Sequence, residues 1–155
     1  MKGSAVFSRD RRHRYSLRRV WDPEGPAILF ICLNPSTADH RVNDRTVSRC
    51  IRFAQDWGFG QLIVANLFAF RTPYPRVLWR ARDPVGPHND RWLRRLIAES
   101  HTTVAAWGTH GAHLGRDRAV LPLIPRPKCL AVSKHGHPKH PLYIRATAKL
   151  RDLAV

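Results

Sequence analysis

The sequence predicts an α/β fold: a three-layer sandwich on a central, mostly parallel four-stranded sheet, with an N-terminal edge strand or hairpin. Three observations predict it. Two apolar runs are strand-sized: residues 27–33, continuous and so read as a strand covered on both faces, and residues 62–70, with one amide inside it. Stretches of helical period separate the strands, the alternation that lays successive strands side by side in parallel. The chain has 155 residues, 43% of them hydrophobic, enough for one domain with a core and not comfortably for two. A single domain over residues 1–155 is therefore expected.

Each element has its own signal. In residues 9–21, Tyr15, Leu17 and Trp21 fall at odd positions among polar neighbours, as in a half-buried edge strand whose cations discourage edge pairing. Asp22 to Pro26 is a turn cluster. Ala27 to Leu33 is the first central strand, and Pro35 ends its ladder. Asn43 or Asp44 caps a helix running to about Trp57, with Val47, Ile51, Ala54 and Trp57 on one face and Gly58 to Gly60 as its stop. Leu62 to Phe70 is the second strand, with Asn66 inside it, broken by Arg71-Thr72-Pro73. After a long polar connection, Asn89 or Asp90 caps a helix that turns Trp92, Leu93, Leu96 and Ile97 inward. Thr102 to Trp107 is a third strand closed by Gly108, and Thr109 to Leu114 starts a short helix. Cys129 to Ser133 is a fourth strand, and Ala146 to Val155 a last helix.

Composition narrows the partners. Lys and Arg number 27 against 11 Asp and Glu, a formal charge of +16. Of the cations 22 are arginines, whose planar forks match phosphate oxygens in pairs, so a polyanion is the expected partner. A coding bias toward Arg explains the Arg to Lys ratio but not the shortage of glutamates, Glu24 and Glu99 alone. No apolar run approaches the roughly 20 residues of a membrane helix, and no basic stretch carries an amphipathic apolar face, so no membrane partner is expected. The N-terminus lacks a secretion signal and the three cysteines are widely spaced, which predicts a reducing, cytoplasmic setting. A monomer without cofactor is expected.

In parallel sheets, ligands bind beyond the carboxyl ends of the strands. Four constellations fall there. Asn34-Pro35-Ser36-Thr37-Ala38-Asp39 offers backbone N–H groups and the hydroxyls of Ser36 and Thr37 to an anion, with Asp39 or Asp44 able to hold a water or metal; its plainer reading is an Asn-Pro turn before a capped helix. Asn66 supplies a donor and an acceptor suited to a nucleobase edge, or else bonds nearby backbone. In His135-Gly136-His137-Pro138-Lys139-His140 no nearby Cys, Asp or Glu completes a metal set, so no metal is expected; the histidines either donate to a ligand anion or lie solvated. Arg45, Arg49, Arg71, Lys134 and Lys139 are the candidate phosphate contacts, and no Gly-rich loop of the Walker type is present.

These residues also carry a resemblance. Leu-Asn-Pro-Ser-Thr-Ala-Asp from Leu33, Arg-Cys before a Trp-Gly, Asn-Leu-Phe-Ala-Phe-Arg from Asn66, Asp-Pro-Val-Gly-Pro from Asp83, Ala-Trp-Gly at Gly108 and Gly-His-Pro-Lys-His-Pro-Leu-Tyr from Gly136 resemble a bacterial and phage family usually described as a domain of unknown function. The match spans nearly the whole chain. More distantly, the order of strand-end motifs is similar to the uracil-DNA glycosylase superfamily. Asn34-Pro35-Ser36 matches its Asn-Pro-Gly motif, Asn66 its base-reading asparagine, Trp92 to Gly108 the stretch before its Ala-Leu-Gly, and His137-Pro138-Lys139 its His-Pro-Ser. Lys139 stands where that superfamily has Ser, its iron–sulfur cysteines are absent, and Asn34 stands where several branches carry an acid.

The resemblance implies a uracil-DNA glycosylase-like fold and hydrolysis of an N-glycosidic bond to a damaged or modified base flipped from DNA. Asn66 would read the base, with Gly108 beside it. His137 would stabilise the departing base anion. Asn34, with Asp39, would position the water. Ser36, Thr37 and Lys139 would hold phosphates. Two other readings stay open: a binding module of the same fold that recognises nucleic acid or nucleotide without hydrolysis, and an enzyme acting on free nucleotides.

Overall fold

The structure is a computed structural model and describes residues 1–154. Among the described residues, seven strands form one sheet in the order β1-β2-β4-β3-β5-β6-β7. They are β1 (Lys2–Phe7), β2 (Arg14–Val20), β3 (Ala27–Cys32), β4 (Gln61–Asn66), β5 (Thr102–Ala105), β6 (Lys128–Cys129) and β7 (Arg151–Asp152). β4, β3, β5 and β6 pair in parallel. β1 with β2, β2 with β4, and β6 with β7 pair antiparallel. The expectation of a mostly parallel, four-stranded sheet is corrected: the fold is α/β, and its sheet is larger and mixed. The strands not expected, β1 and β7, lie at the two edges of the sheet, where exposed segments leave little apolar pattern to read.

β3 earns its central place by composition. All six of its residues are buried, with Leu29 and Ile31 on one face and Ile28, Phe30 and Cys32 on the other. Helix α1 (Arg45–Asp56) covers the second face through Val47, Cys50, Ile51, Phe53 and Ala54. The Asp44 carboxylate caps it, accepting from the Val47 N–H at 2.9 Å. Helices α3 (Asn89–Glu99) and α4 (Arg116–Val120) cover the first face, burying Leu93, Leu96 and Val120. α2 (Pro75–Leu78) is one turn within the long connection after β4.

Several local expectations change. β2 is not an edge: β1 pairs along its outer side, and Arg14 and Arg19 within it are buried. Their charges survive burial because loop carbonyls receive them. Arg14 Nη1 donates to Ala38 O at 3.0 Å, and Arg19 donates to Asn43 Oδ1 at 2.9 Å and Val42 O at 3.2 Å. Burial pushes the Arg14 pKa down to about 10 against the supporting charge of Asp44, so the guanidinium stays charged at neutral pH. These cations clamp the β3–α1 loop onto the sheet.

β4 ends at Asn66, so this amide closes the strand rather than interrupting it. Neither Asn89 nor Asp90 caps α3. His88 holds the cap position, and Asn89, fully buried, donates its Nδ2 to Asn66 O and Leu67 O at 2.9 and 3.0 Å. The fourth strand shortens to two residues because the backbone beyond it pairs with the returning chain: Ser133 N donates to His137 O at 2.8 Å and Lys139 N to Ala131 O at 2.9 Å. The helix expected over Ala146 to Val155 is absent from the described residues, and Val155 lies outside them. Ile144 O and Ala148 O instead accept from Arg49 and Trp57 around α1, and Arg151–Asp152 pair with the otherwise open edge of β6. A ten-residue helix would leave that edge bare.

Candidate functional site

The chain leaves β3 through α1 on one face and leaves β5 through α4 on the other. The strand order therefore reverses between β3 and β5, and the crevice at their carboxyl ends is where an α/β sheet offers a ligand site. Asn34 and Gly108 follow those two ends, and Asn66 stands beside them, in register with Cys32.

Asn34 Nδ2 donates to Thr72 O at 2.8 Å and to Pro35 O at 3.1 Å. Both amide protons are spent, so Oδ1 is the group it offers, an acceptor that can orient a water but not deprotonate it. Asn66 is only 2% exposed, and its Oδ1 is buried without a donor. By strand alternation it shares the α1 side with Val64. An unpaired buried acceptor costs about 1–3 kcal/mol, so this atom has the capacity to accept from any N–H or water that reaches it.

Asp39 is committed elsewhere. Its Oδ1 accepts from the N–H groups of Arg41 and Val42, each at 2.8 Å. The backbone bond from Val42, then that from Arg41, holds its carboxyl below the ordinary range, which makes it a loop brace and a poor proton acceptor.

Beside Asn34 a cleft of about 440 Å³ is lined by Ser36, Thr37, Arg71 and Thr72 together with Arg11 and Arg12 of the β1–β2 turn. Ser36, Thr37 and Arg71 thus share one rim. The arginines of the turn were not distinguishable in sequence from the rest of a long cationic run; only their place between two strands marks them. Arg49 is largely committed to structure, donating to Ile144 O at 3.0 Å and lying over the Phe53 ring. Arg45, Lys134 and Lys139 are exposed.

His137 stands apart. It lines a smaller cavity of about 100 Å³ with Trp107, Asp117 and Arg118, toward the α4 side of the sheet. The Trp107 Nε1–H there is buried and finds no acceptor. Gly108 links the regions: at φ 75° it donates its N–H to Pro138 O at 2.8 Å, and a Cβ at this position would meet His140 Cβ at 3.9 Å.

His140 is therefore the histidine beside the β5 end, and sequence spacing did not separate it from its neighbours. Its Nδ1 accepts from Leu142 N at 3.2 Å, which leaves the proton of the neutral ring on Nε2. Burial lowers its pKa from the ordinary 6.5 and the charge of Asp44 opposes this, so the ring is mainly neutral at pH 7. A neutral ring with a free Nε2–H is a hydrogen-bond donor.

Among the described residues, no group of three or more His, Cys, Asp or Glu could hold a metal, and no helix is long and apolar enough to cross a membrane. The family described as "Protein of unknown function (DUF1643)" matches residues 14–142, and the chain belongs to it. No curated protein and no solved structure matches.

Proposed function

We propose that this DUF1643 member binds nucleic acid and seats a single base at the carboxyl ends of β3 and β4. The observation that carries the reading is the cleft at the β3 end whose rim holds Arg11, Arg12 and Arg71, with the buried, donorless Oδ1 of Asn66 at the end of the neighbouring strand β4 as support. A base N–H satisfies the amide oxygen, and the sugar-phosphate backbone satisfies the arginines. The formal charge of +16 supplies the long-range attraction. Fluorescence anisotropy with single- and double-stranded oligonucleotides tests it. Binding should weaken steeply with salt and be lost in part when one nucleotide is made abasic. Salt-independent binding, or equal affinity for abasic and intact strands, would overturn it.

A second reading, hydrolysis of the N-glycosidic bond in the manner of a uracil-DNA glycosylase-like protein, is favoured by one feature. Asn34 has its Oδ1 left to accept after the β3 end, and neutral His140, packed against Gly108 after the β5 end, keeps an Nε2–H to donate. Here His140, rather than His137, takes the role of stabilising the departing base. With Asp39 engaged by backbone, no carboxylate serves as base at that loop position, so the reaction would depend on leaving-group stabilisation. Incubation with oligonucleotides carrying uracil, hypoxanthine or a mismatch, followed by alkali, separates the two readings. Strand breaks that vanish in His140→Ala support hydrolysis; none at high protein concentration leaves binding alone.

A further inference from the structure

Two guanidinium groups share one phenyl ring. Arg11 lies 4.1 Å and Arg71 4.7 Å from the ring centroid of Phe7. Two like charges gathered on one ring repel unless something near them is negative. Neither nearby acid forms an ion pair with them: Asp39 Oδ1 accepts from the Arg41 and Val42 N–H groups and acts on Arg71 only as a supporting charge, and Asp10 Oδ1 accepts from Ser8 Oγ and Arg12 N.

The pair is built into the backbone. Arg11 has φ 60°, one of two non-glycine residues with positive φ among the described residues, a conformation that costs free energy and persists only where surroundings impose it. Arg71 Nη1 donates to Arg11 O at 3.2 Å, which ties the two residues together, while Arg71 Nε is buried without an acceptor. Burial first, then the charge of Arg11, lowers the Arg71 pKa against the charge of Asp39, and an anion arriving here offsets the repulsion between the two arginines. Both side chains line the cleft that also presents Ser36 and Thr37.

We infer that Arg11 and Arg71, supported on Phe7, form a clamp for a terminal phosphate, the monoester group at the end of a strand or on a nucleotide. A phosphomonoester carries a charge near −2 at neutral pH and three strong acceptor oxygens. Two guanidiniums and two hydroxyls complement that group, whereas an internal phosphodiester offers one charge and two free oxygens. The inference rests on the nucleic-acid reading only for what carries the phosphate. The cleft, at about 440 Å³, has room for a sugar as well.

The test compares one oligonucleotide in three forms, 5′-phosphorylated, 3′-phosphorylated and unphosphorylated, by anisotropy, with a nucleoside monophosphate as a calorimetric probe. One phosphorylated form should bind about tenfold tighter or more than the unphosphorylated strand. Arg71→Gln and Arg11→Gln should each collapse that ratio toward one. Arg126→Gln, at the amino end of β6, should preserve it. Circular dichroism checks that each variant folds, and the exposed Arg11 keeps the test open if Arg71→Gln does not. Equal affinity of all three strands overturns the clamp and leaves the nucleic-acid reading intact. Arginine-dependent binding of the monophosphate without binding of any strand upholds the clamp and overturns that reading. No binding of any probe overturns both.

Discussion

Asn66→Leu separates a ligand-reading amide from a structural one. The two side chains are close in volume, so the substitution removes the amide without opening a cavity. Asn66 Oδ1 is buried and meets no donor from the protein, a state that costs about 1–3 kcal/mol of folding free energy where no water fills it. Leucine removes that cost and extends the apolar side of β4 already formed by Leu62 and Val64. Stability should therefore rise, by about 2–4 °C in Tm for each kcal/mol recovered in a chain of this size. Binding of oligonucleotides should weaken at the same time, and discrimination between intact and abasic strands should disappear. Differential scanning calorimetry and anisotropy on the same preparation read both effects. A Tm that falls by several degrees, with binding unchanged, would refute the reasoning, since it would mean that the amide is paired in solution and serves the fold.

Three further outcomes follow from the geometry. Asp44→Ala removes the α1 cap and should cost about 0.5–2 kcal/mol by chemical denaturation, with the slope of the denaturation curve unchanged. Arg116→Ala removes bonds of 3.0 Å to Leu67 O and 2.8 Å to Asp90. Asp90 is exposed enough to regain water and Leu67 O keeps its bond from Asn89, so the expected cost is about 1.5–3 kcal/mol, again read by denaturation. His140 has a folded pKa below its ordinary 6.5, so the unfolded chain binds the extra proton first. Its contribution to stability is full above that ordinary value and is lost as pH falls toward the folded pKa; His140→Gln should flatten the acid side of the stability profile.

What the sequence revealed divides along physical lines. β3, α1 and α3 announced themselves because continuous apolar runs and helical spacing survive any tertiary context. The outer strands did not. β1 is largely exposed and β7 is two exposed residues, so their ladders rest on backbone pairing that leaves no side-chain pattern. Nothing in the sequence marks Arg14, Arg19 and Arg116 for burial, because that burial depends on carbonyls of the β3–α1 loop and the β4 end that only the folded chain delivers. The same holds at the candidate site. The strand-end rule places Ser36, Thr37 and Arg71 at one edge, but which of three closely spaced histidines packs against Gly108 is set by the tight turn at Ser133 to His137. That turn carries His137 toward Trp107 and leaves His140 against Gly108. Arg11 was hidden in a run of similar residues, and its unusual φ is invisible in sequence.

The central claim is that a base is seated at the ends of β3 and β4. It is met most directly by following the side-chain amide resonances of Asn34 and Asn66 in isotope-labelled protein during titration with a short oligonucleotide. The account predicts saturable shifts of both amides, together with the backbone N–H groups of Ser36 and Thr37. Saturation without movement of either amide, or shifts confined to the cavity of Trp107 and His137, would contradict it.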